Sequence, residues 1–121
     1  MRRVDKPWGY ELIWVETDRY VGKILHIEAG HRLSFQYHKV KDEALLQQVG
    51  EMDLLLENDE GVLVSRRMEP GDSVHIPAGR RHRMTAVTDC DVVEVSTPEL
   101  DDIVRLEDDY ARVVPNSVDD G

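Results

Sequence analysis

Short apolar-rich runs, separated by turn-forming residues, recur along most of the chain and limit the folds it can adopt. Nine such runs lie between residues 10 and 97. The connections between them contain Gly, Pro, Asn and Asp, which supply the backbone conformations that tight turns need. Short strands at regular spacing are typical of an all-β sandwich or barrel. The predicted strands are YELIWVE, YVGKILHIE, RLSFQYH, LLQQV, MDLLLE, VLVSRRM, SVHIP, HRMTAV and DVVEVST.

One short C-terminal helical segment is predicted after these strands. Thr97 can cap the helix and Pro98 suits its first position, while apolar residues between 100 and 106 give it a short stripe. A chain of 121 residues falls in the single-domain range. We therefore expect one domain over residues 1–121, with a core from about 7 to 112 and a flexible tail at 113–121.

The composition is strongly acidic, with 15 Lys and Arg against 25 Asp and Glu and a formal net charge of -10. Such a charge opposes delocalised attraction to nucleic acid or to anionic lipid. An anionic small molecule stays open as a ligand, because basic side chains in a pocket act within a Debye length of about 8–10 Å. No apolar run approaches the ~20 residues that cross a bilayer, and Cys90 is the single cysteine. We expect a cytoplasmic protein that binds neither nucleic acid nor membrane.

The segment LSFQYHKVKDE, residues 33–43, carries the clearest chemistry. Alternation along a strand points Gln36 and His38 to the same side, and Glu43 follows after a turn. Amide oxygen, imidazole nitrogen and carboxylate oxygen together suit Zn²⁺, Mn²⁺, Fe²⁺, Co²⁺ or Ni²⁺. Two polar residues on one strand face are more often a solvated surface, so this segment alone leaves both interpretations open.

A first motif around this segment resembles that of the cupin superfamily. The cupin motif has Gly, five residues, His, one residue, His, three or four residues, Glu, six residues and Gly. The matching positions here are Gly30, Gln36, His38, Glu43 and Gly50, so that Gln stands in the place of the first His.

A second motif resembles the other cupin signature, which has Gly, five residues, Pro, one residue, Gly, two residues, His, three residues and Asn. Gly71, Pro77, Gly79 and His82 match it, and Ala86 stands where the Asn should be. Both motifs occur in the expected order. The resemblance implies a single-domain jelly-roll barrel that encloses one divalent metal ion, with Zn²⁺ as the first candidate and Mn, Co, Ni or Fe as alternatives. The implied metal ligands are Gln36, His38, Glu43 and His82.

Glutamine inside LSFQYH narrows the resemblance to the type II phosphomannose isomerase group of cupins. KPWGYE, VGKILHIEAGHRLS and LDDIVRLEDDYAR are similar to three further stretches of that group, and together they span residues 7 to 112. The resemblance implies a metal-dependent isomerase that interconverts mannose 6-phosphate and fructose 6-phosphate. Many relatives also have a mannose-1-phosphate guanylyltransferase domain, which these 121 residues lack, so nucleotidyl transfer is not expected.

Several basic residues follow from the same resemblance as candidates for substrate chemistry. Lys41 stands where the family commonly has Arg, beside the ligands, and is the predicted catalytic residue for proton transfer. Leu45 replaces the Trp that commonly follows. The predicted contacts to the substrate phosphate are Lys23, Arg83 and Arg105.

Two other functions remain open at this point. One is a non-catalytic, metal-containing cupin that binds a carbohydrate or sugar phosphate. The other is an iron-dependent dioxygenase, which is disfavoured because Gln36 offers iron only a weak oxygen donor in place of a nitrogen ligand. A fourth interpretation is a purely structural barrel whose bound metal ion has no catalytic role. The family resemblance also implies a homodimer, for which the strand YELIWVE is a candidate edge for pairing.

Overall fold

The computed structural model describes residues 1–110 and 112, and within them eleven strands form two antiparallel sheets. None of the described residues forms a helix that could cross a bilayer. The strands are β1 (Arg2–Lys6), β2 (Gly9–Glu16), β3 (Val21–Ile27), β4 (Phe35–Tyr37), β5 (Glu43–Val49), β6 (Met52–Glu57), β7 (Leu63–Met68), β8 (Ser73–Ile76), β9 (His82–Ala86), β10 (Cys90–Ser96) and β11 (Val104–Glu107).

The six-stranded sheet has the order β1-β2-β3-β10-β5-β8, and the five-stranded sheet has the order β11-β4-β9-β6-β7. Neighbours in the sheets are often distant in sequence, which is expected when a chain winds into a jelly roll. All nine predicted strands are present, and the all-β prediction is confirmed. Inward-pointing residues of several strands, together with Trp8 and Leu33 from the connections, form a common apolar core. Its buried members are Trp8, Leu25, Ile27, Leu33, Leu45, Met52, Leu54, Met68, Ile76, Met84, Ala86, Cys90 and Val92.

The first strand was not predicted, because its sequence RRVDK shows no apolar alternation. It pairs with β2 along its whole length, from Arg2 opposite Ile13 to Lys6 opposite Gly9. The sheet therefore begins before residue 7, and the strand YELIWVE lies between two partners. The prediction that this strand is a free edge was wrong.

The predicted C-terminal helical segment is likewise replaced by an irregular turn and a strand. Val104 and Arg105 pair with Tyr37 and Gln36, and these backbone contacts hold residues 104–107 extended at the edge of the five-stranded sheet. The apolar stripe that predicted a helix instead places Ile103 in the interior. The predicted tail at 113–121 lies outside the described residues.

The interior also contains charged side chains. Along the inner face of the six-stranded sheet, Lys23 of β3 lies opposite Glu94 of β10, and Ser96 lies opposite Glu43 of β5. All four are buried. Because isolated buried charges are costly, such side chains need partners inside the barrel, and these partners define the candidate site.

Candidate metal centre

Three buried side chains converge between the two sheets. His38 follows β4 and His82 begins β9, both in the five-stranded sheet, whereas Glu43 begins β5 of the other sheet. Each offers one ligand atom, and these atoms all lie within 4.8 Å of one another. The three residues are at most 3% exposed. This group could therefore hold a metal ion.

Backbone carbonyls fix the orientation of both imidazole rings. His38 Nδ1 lies 2.5 Å from the carbonyl oxygen of Asp102, and His82 Nδ1 lies 2.9 Å from the carbonyl oxygen of Arg80. A carbonyl oxygen only accepts, so each Nδ1 carries the hydrogen and each neutral ring has its lone pair on Nε2. The Nε2 atoms of His38 and His82 lie 3.4 and 3.2 Å from the same carboxylate oxygen, Glu43 Oε1.

This arrangement fits a cation. Lone pairs on two nitrogens and one carboxylate oxygen meet at one point, and a proton or a metal ion must lie between them to offset their repulsion. Burial alone would raise the pKa of Glu43, but the nearby charge of Lys41 lowers that pKa well below its ordinary value. The carboxylate is therefore ionised, and nitrogen, nitrogen and oxygen form a ligand set that suits Zn²⁺ and its first-row neighbours.

Gln36 lies at the edge of this group. It pairs in register with His82, and its Nε2 lies 3.5 Å from His82 Nε2, while its Oε1 accepts a hydrogen bond of 2.8 Å from Ser34 Oγ. The predicted ligand oxygen is thus directed to Ser34. A hydroxyl can donate or accept, so a 180° rotation of the amide would keep the Ser34 hydrogen bond and turn Oε1 toward the histidines.

Lys41 lies beside the three converging residues and is fully buried. Its Nζ is 3.6 Å from Glu43 Oε2 and 3.2 Å from Glu94 Oε2. The ammonium group therefore bridges the ligand carboxylate and a second buried carboxylate. Glu94 was not predicted, because the sequence separation between β5 and β10 hides their pairing.

The predicted phosphate contacts divide between the inside and the outside of the barrel. Lys23 is buried inside, with its Nζ 3.4 Å from Glu11 Oε1. Arg105 is fully buried and pairs in register with Gln36, so both side chains point inward. Glu11 was also missed by the sequence analysis.

Arg83 does not join this group. It follows His82 on the same strand, so its side chain points to the opposite face of the sheet. There its guanidinium donates to Glu107 and Asp109 and lines a groove of about 420 Å³ with Phe35. Arg83 therefore lies on the face of the sheet opposite the converging side chains, and its contact with a substrate phosphate stays a prediction.

Asp102 organises the loop that carries His38 and Lys41. Its carboxylate accepts hydrogen bonds from the backbone N–H groups of Lys39, Val40 and Lys41 at 2.7–2.9 Å. Its carbonyl oxygen accepts the hydrogen bond from His38. The sequence pattern predicts a helix at this residue, whereas the structure has an irregular turn there. Its occurrence inside the motif LDDIVRLEDDYAR is the signal that could have marked it.

The other histidines lie outside the site. His26 contacts Asp91 at 2.7 Å, and His75 contacts Asp42 at 2.6 Å on the surface. His31 stacks with Tyr110 at a ring separation of 6.2 Å. None of these three belongs to the group of converging side chains formed by His38, Glu43 and His82.

Comparison with protein families and curated proteins points to one group. The family described as "Mannose-6-phosphate isomerase C-terminal" matches residues 1–108. The mannose-1-phosphate guanylyltransferase of Escherichia coli K12 is 32% identical over 118 residues, which cover 93% of this chain and 23% of that protein. The corresponding protein ManC of Salmonella typhimurium is 33% identical with the same coverage. The chain thus spans less than a quarter of the length of these relatives.

Solved structures with the same fold are more distant in sequence. KdgF from Halomonas sp. superposes with a TM-score of 0.72 at 21% identity, covering 81% of this chain and 88% of that one. A deletion mutant of Bacillus subtilis oxalate decarboxylase gives a TM-score of 0.76 at 15% identity, covering 87% of this chain and 30% of that one. At these identities the likeness establishes the barrel fold alone.

Proposed function

The chain belongs to the mannose-6-phosphate isomerase C-terminal family of cupins, and on that premise we propose that it is a metal-dependent sugar-phosphate isomerase. The proposed reaction interconverts mannose 6-phosphate and fructose 6-phosphate. The observation that carries the proposal is the buried meeting point of His38 Nε2, His82 Nε2 and Glu43 Oε1, with ligand atoms all within 4.8 Å. Zn²⁺ is the first candidate for the ion, and Mn²⁺, Co²⁺, Ni²⁺ and Fe²⁺ are alternatives.

Aldose–ketose isomerisation moves a proton between adjacent carbons and develops negative charge on the sugar oxygen. A divalent ion held by His38, Glu43 and His82, with Gln36 as the further ligand, would polarise the carbonyl and stabilise that charge. Lys41 is our candidate for proton transfer. Its Nζ lies within 3.6 Å of the ligand carboxylate, so a sugar bound at the ion would lie close to it.

Arg105 is our first candidate to bind the phosphate of the substrate. Its fully buried guanidinium is on the inner face beside Gln36, and a guanidinium suits bidentate phosphate recognition. Lys23 faces the same interior, with its ammonium 3.4 Å from Glu11, and is the second candidate. Arg83 is the third candidate, although it lies on the outer face of the sheet and donates there to Glu107 and Asp109.

A second function, a non-catalytic metal-containing cupin that binds a carbohydrate or sugar phosphate, is favoured by one observation. Lys41 contacts two carboxylates, with its Nζ 3.6 Å from Glu43 Oε2 and 3.2 Å from Glu94 Oε2, so its ammonium is already held by ion pairs. A lysine held in this way could be structural. Saturable binding of mannose 6-phosphate without turnover would favour this function over the isomerase.

The test uses protein freed of metal and reconstituted in turn with Zn²⁺, Mn²⁺, Co²⁺, Ni²⁺ and Fe²⁺. Interconversion of mannose 6-phosphate and fructose 6-phosphate is followed in both directions, with a His38→Ala/His82→Ala variant as the control. Metal-dependent turnover that is absent from the control would support the isomerase. Stoichiometric metal binding without turnover would contradict it and leave the binding function.

We also propose that the protein is a homodimer, as the family resemblance implies. Its subunits would not pair through β2, because β1 covers that strand on one side and β3 on the other. Light scattering at micromolar concentration measures the mass directly. A mass near the 13.9 kDa of one chain would contradict the dimer.

A further inference from the structure

We propose that Glu94 is a positioning residue for the metal-binding carboxylate, and that it acts through Lys41 to keep Glu43 Oε1 turned toward the two histidines. The inference rests on the metal centre of the proposed function. It assigns a role to a buried charge that neither the sequence motifs nor the ligand set includes.

The two oxygens of Glu43 face different partners. Oε1 lies 3.4 and 3.2 Å from the Nε2 atoms of His38 and His82, whereas Oε2 lies 3.6 Å from Lys41 Nζ. A single rotation of the carboxylate would exchange these oxygens or move both away from the histidines. The position of the Lys41 ammonium therefore determines which way the ligand carboxylate points.

Glu94 determines where that ammonium lies. Its Oε2 is 3.2 Å from Lys41 Nζ, a shorter separation than that from Lys41 to Glu43. The side chain of Lys41 is fully buried, and that of Glu94 is only 4% exposed. The Lys41 backbone is also held by a hydrogen bond of 2.8 Å to Asp102, so the lysine is fixed at both ends.

Loss of the Glu94 charge should weaken metal binding in a particular way. Lys41 would stay buried with Glu43 as a nearby carboxylate, and a buried ammonium is strongly attracted to such a carboxylate. The lysine would then compete with the metal ion for the electrons of Glu43 and would draw the carboxylate toward itself. Loss of groups that orient metal ligands typically lowers metal affinity or activity by about 10- to 100-fold.

The chain contains a matched control pair. Glu11 of β2 and Lys23 of β3 form an ion pair of the same type, at 3.4 Å and with both side chains at most 5% exposed. In the sheet order, β10 is next to β5, whereas β3 and β10 separate β2 from β5. With about 4.8 Å between neighbouring strands, the backbone of Glu11 is roughly 14 Å from the strand that carries Glu43.

The experiment compares wild type, Glu94→Gln and Glu11→Gln as full-length, metal-free proteins whose unfolding in urea is measured first. Zn²⁺ dissociation constants are measured by competition with a chelator, and the absorption spectrum of the Co²⁺ form reports ligand geometry. We expect Glu94→Gln to weaken Zn²⁺ binding by about 10- to 100-fold and to change the Co²⁺ spectrum. Glu11→Gln should destabilise the fold to a similar extent. Because its partner Lys23 lies opposite Glu94, the change can reach the metal centre only indirectly, and we expect a much smaller loss of Zn²⁺ affinity than in Glu94→Gln.

A double variant, Lys41→Met/Glu94→Gln, tests whether Glu94 acts through the lysine. With the ammonium removed, Lys41 no longer competes for Glu43, so Zn²⁺ affinity should recover most of what the single Glu94→Gln change loses. No recovery would overturn the inference. So would equal affinities of the Glu94→Gln and Glu11→Gln proteins.

The inference and the proposed function can fail separately. If the wild-type protein has isomerase activity but Glu94→Gln and Glu11→Gln bind Zn²⁺ equally well, only the positioning role is overturned. A clear difference in affinity between the two variants, in a protein without isomerase activity, would support the positioning role and contradict the isomerase.

Discussion

At the scale of single residues, the orientation of the two imidazoles is set by backbone atoms. Carbonyl oxygens of Asp102 and Arg80 accept from the Nδ1 atoms, which leaves the Nε2 lone pairs directed at Glu43. Metal-binding histidines generally need such a second hydrogen bond to fix their tautomer. Because these acceptors belong to the main chain, the orientation depends on the course of the backbone at residues 80 and 102.

The unequal roles of the ligands give a prediction at this scale. Gln36→Leu should weaken Zn²⁺ binding less than His82→Ala does, because an amide oxygen is a weak neutral donor and here accepts from Ser34. Chelator competition on the two variants measures the difference. An equal loss in both would show that the amide oxygen binds the ion as strongly as the imidazole.

The sequence could indicate the candidate ligands more fully than their surroundings. His38, Glu43 and His82 follow from motif spacing, because residues at fixed offsets around two turns keep their relative places. The outward direction of Arg83 also follows from strand alternation once His82 is taken as inward. Glu94 and Glu11 could not be found, because their roles depend on which distant strands pair.

At the scale of elements, a single carboxylate holds the loop between β4 and β5. Burial would raise the pKa of Asp102, but hydrogen bonds from the backbone N–H groups of Lys41, Lys39 and Val40 lower it below the ordinary 3.8. A carboxylate that is ionised more easily in the folded state than in the unfolded state stabilises the fold above the unfolded-state pKa. That stabilisation is lost as the pH falls through the lowered pKa.

Asp102→Asn should therefore lower the free energy of unfolding at pH 7 by on the order of 2–3 kcal/mol, the scale of hydrogen bonds to a charged group. The difference from wild type should stay constant down to about pH 4 and shrink below it, because wild-type Asp102 then becomes neutral too. Urea unfolding at a series of pH values measures this difference in the free energy of unfolding. Asp101→Asn at the exposed neighbouring position is the control, and a similar loss there would contradict the role of the loop hydrogen bonds.

Gly50, in the turn between β5 and β6, provides a second prediction at this scale. Its φ is +76°, and a Cβ would lie 2.0 Å from the carbonyl oxygen of Asp89. Gly30 has φ of +82° with no atom within 4 Å of such a Cβ. Gly30→Ala should cost about 1–2 kcal/mol of unfolding free energy from backbone strain, and Gly50→Ala more, because the backbone near Asp89 must also move. Equal losses in urea unfolding would contradict this.

The positive φ values confirm that the motif glycines serve turns, as the sequence predicted. The regular strands were predictable for a similar local reason, since each carries its own alternation. The region after Thr97 was not predictable in this way. Its apolar residues have helical spacing, but they are buried by an extended backbone that pairs with Tyr37 and Gln36. Partners remote in sequence outweighed the local pattern in this segment.

At the scale of the whole molecule, the candidate metal centre joins the two sheets. His82 belongs to the five-stranded sheet, His38 directly follows its strand β4, and Glu43 belongs to the six-stranded sheet, so the three candidate ligands are brought together only when the sheets pack. The unfolded chain has no such arrangement. A metal ion bound by all three would therefore stabilise the folded barrel through mass action.

The expected size of this effect gives the last prediction. At a free Zn²⁺ concentration 100 times the dissociation constant, the free energy of unfolding should rise by about 2.7 kcal/mol. For a domain of 121 residues, this corresponds to a rise in Tm of roughly 10 °C. Calorimetry of the metal-free protein with and without Zn²⁺ measures it, with His82→Ala as the control.

The control separates a metal that joins the sheets from one bound at the surface. His75 and Asp42 lie 2.6 Å apart outside the barrel and could bind Zn²⁺ weakly. An ion there would connect only neighbouring strands of the six-stranded sheet and would not join the two sheets. Loss of the Tm shift in His82→Ala, with the shift kept in His75→Ala, would place the stabilising ion between the sheets. A shift that survives in His82→Ala and disappears in His75→Ala would place it at the surface and contradict the buried centre.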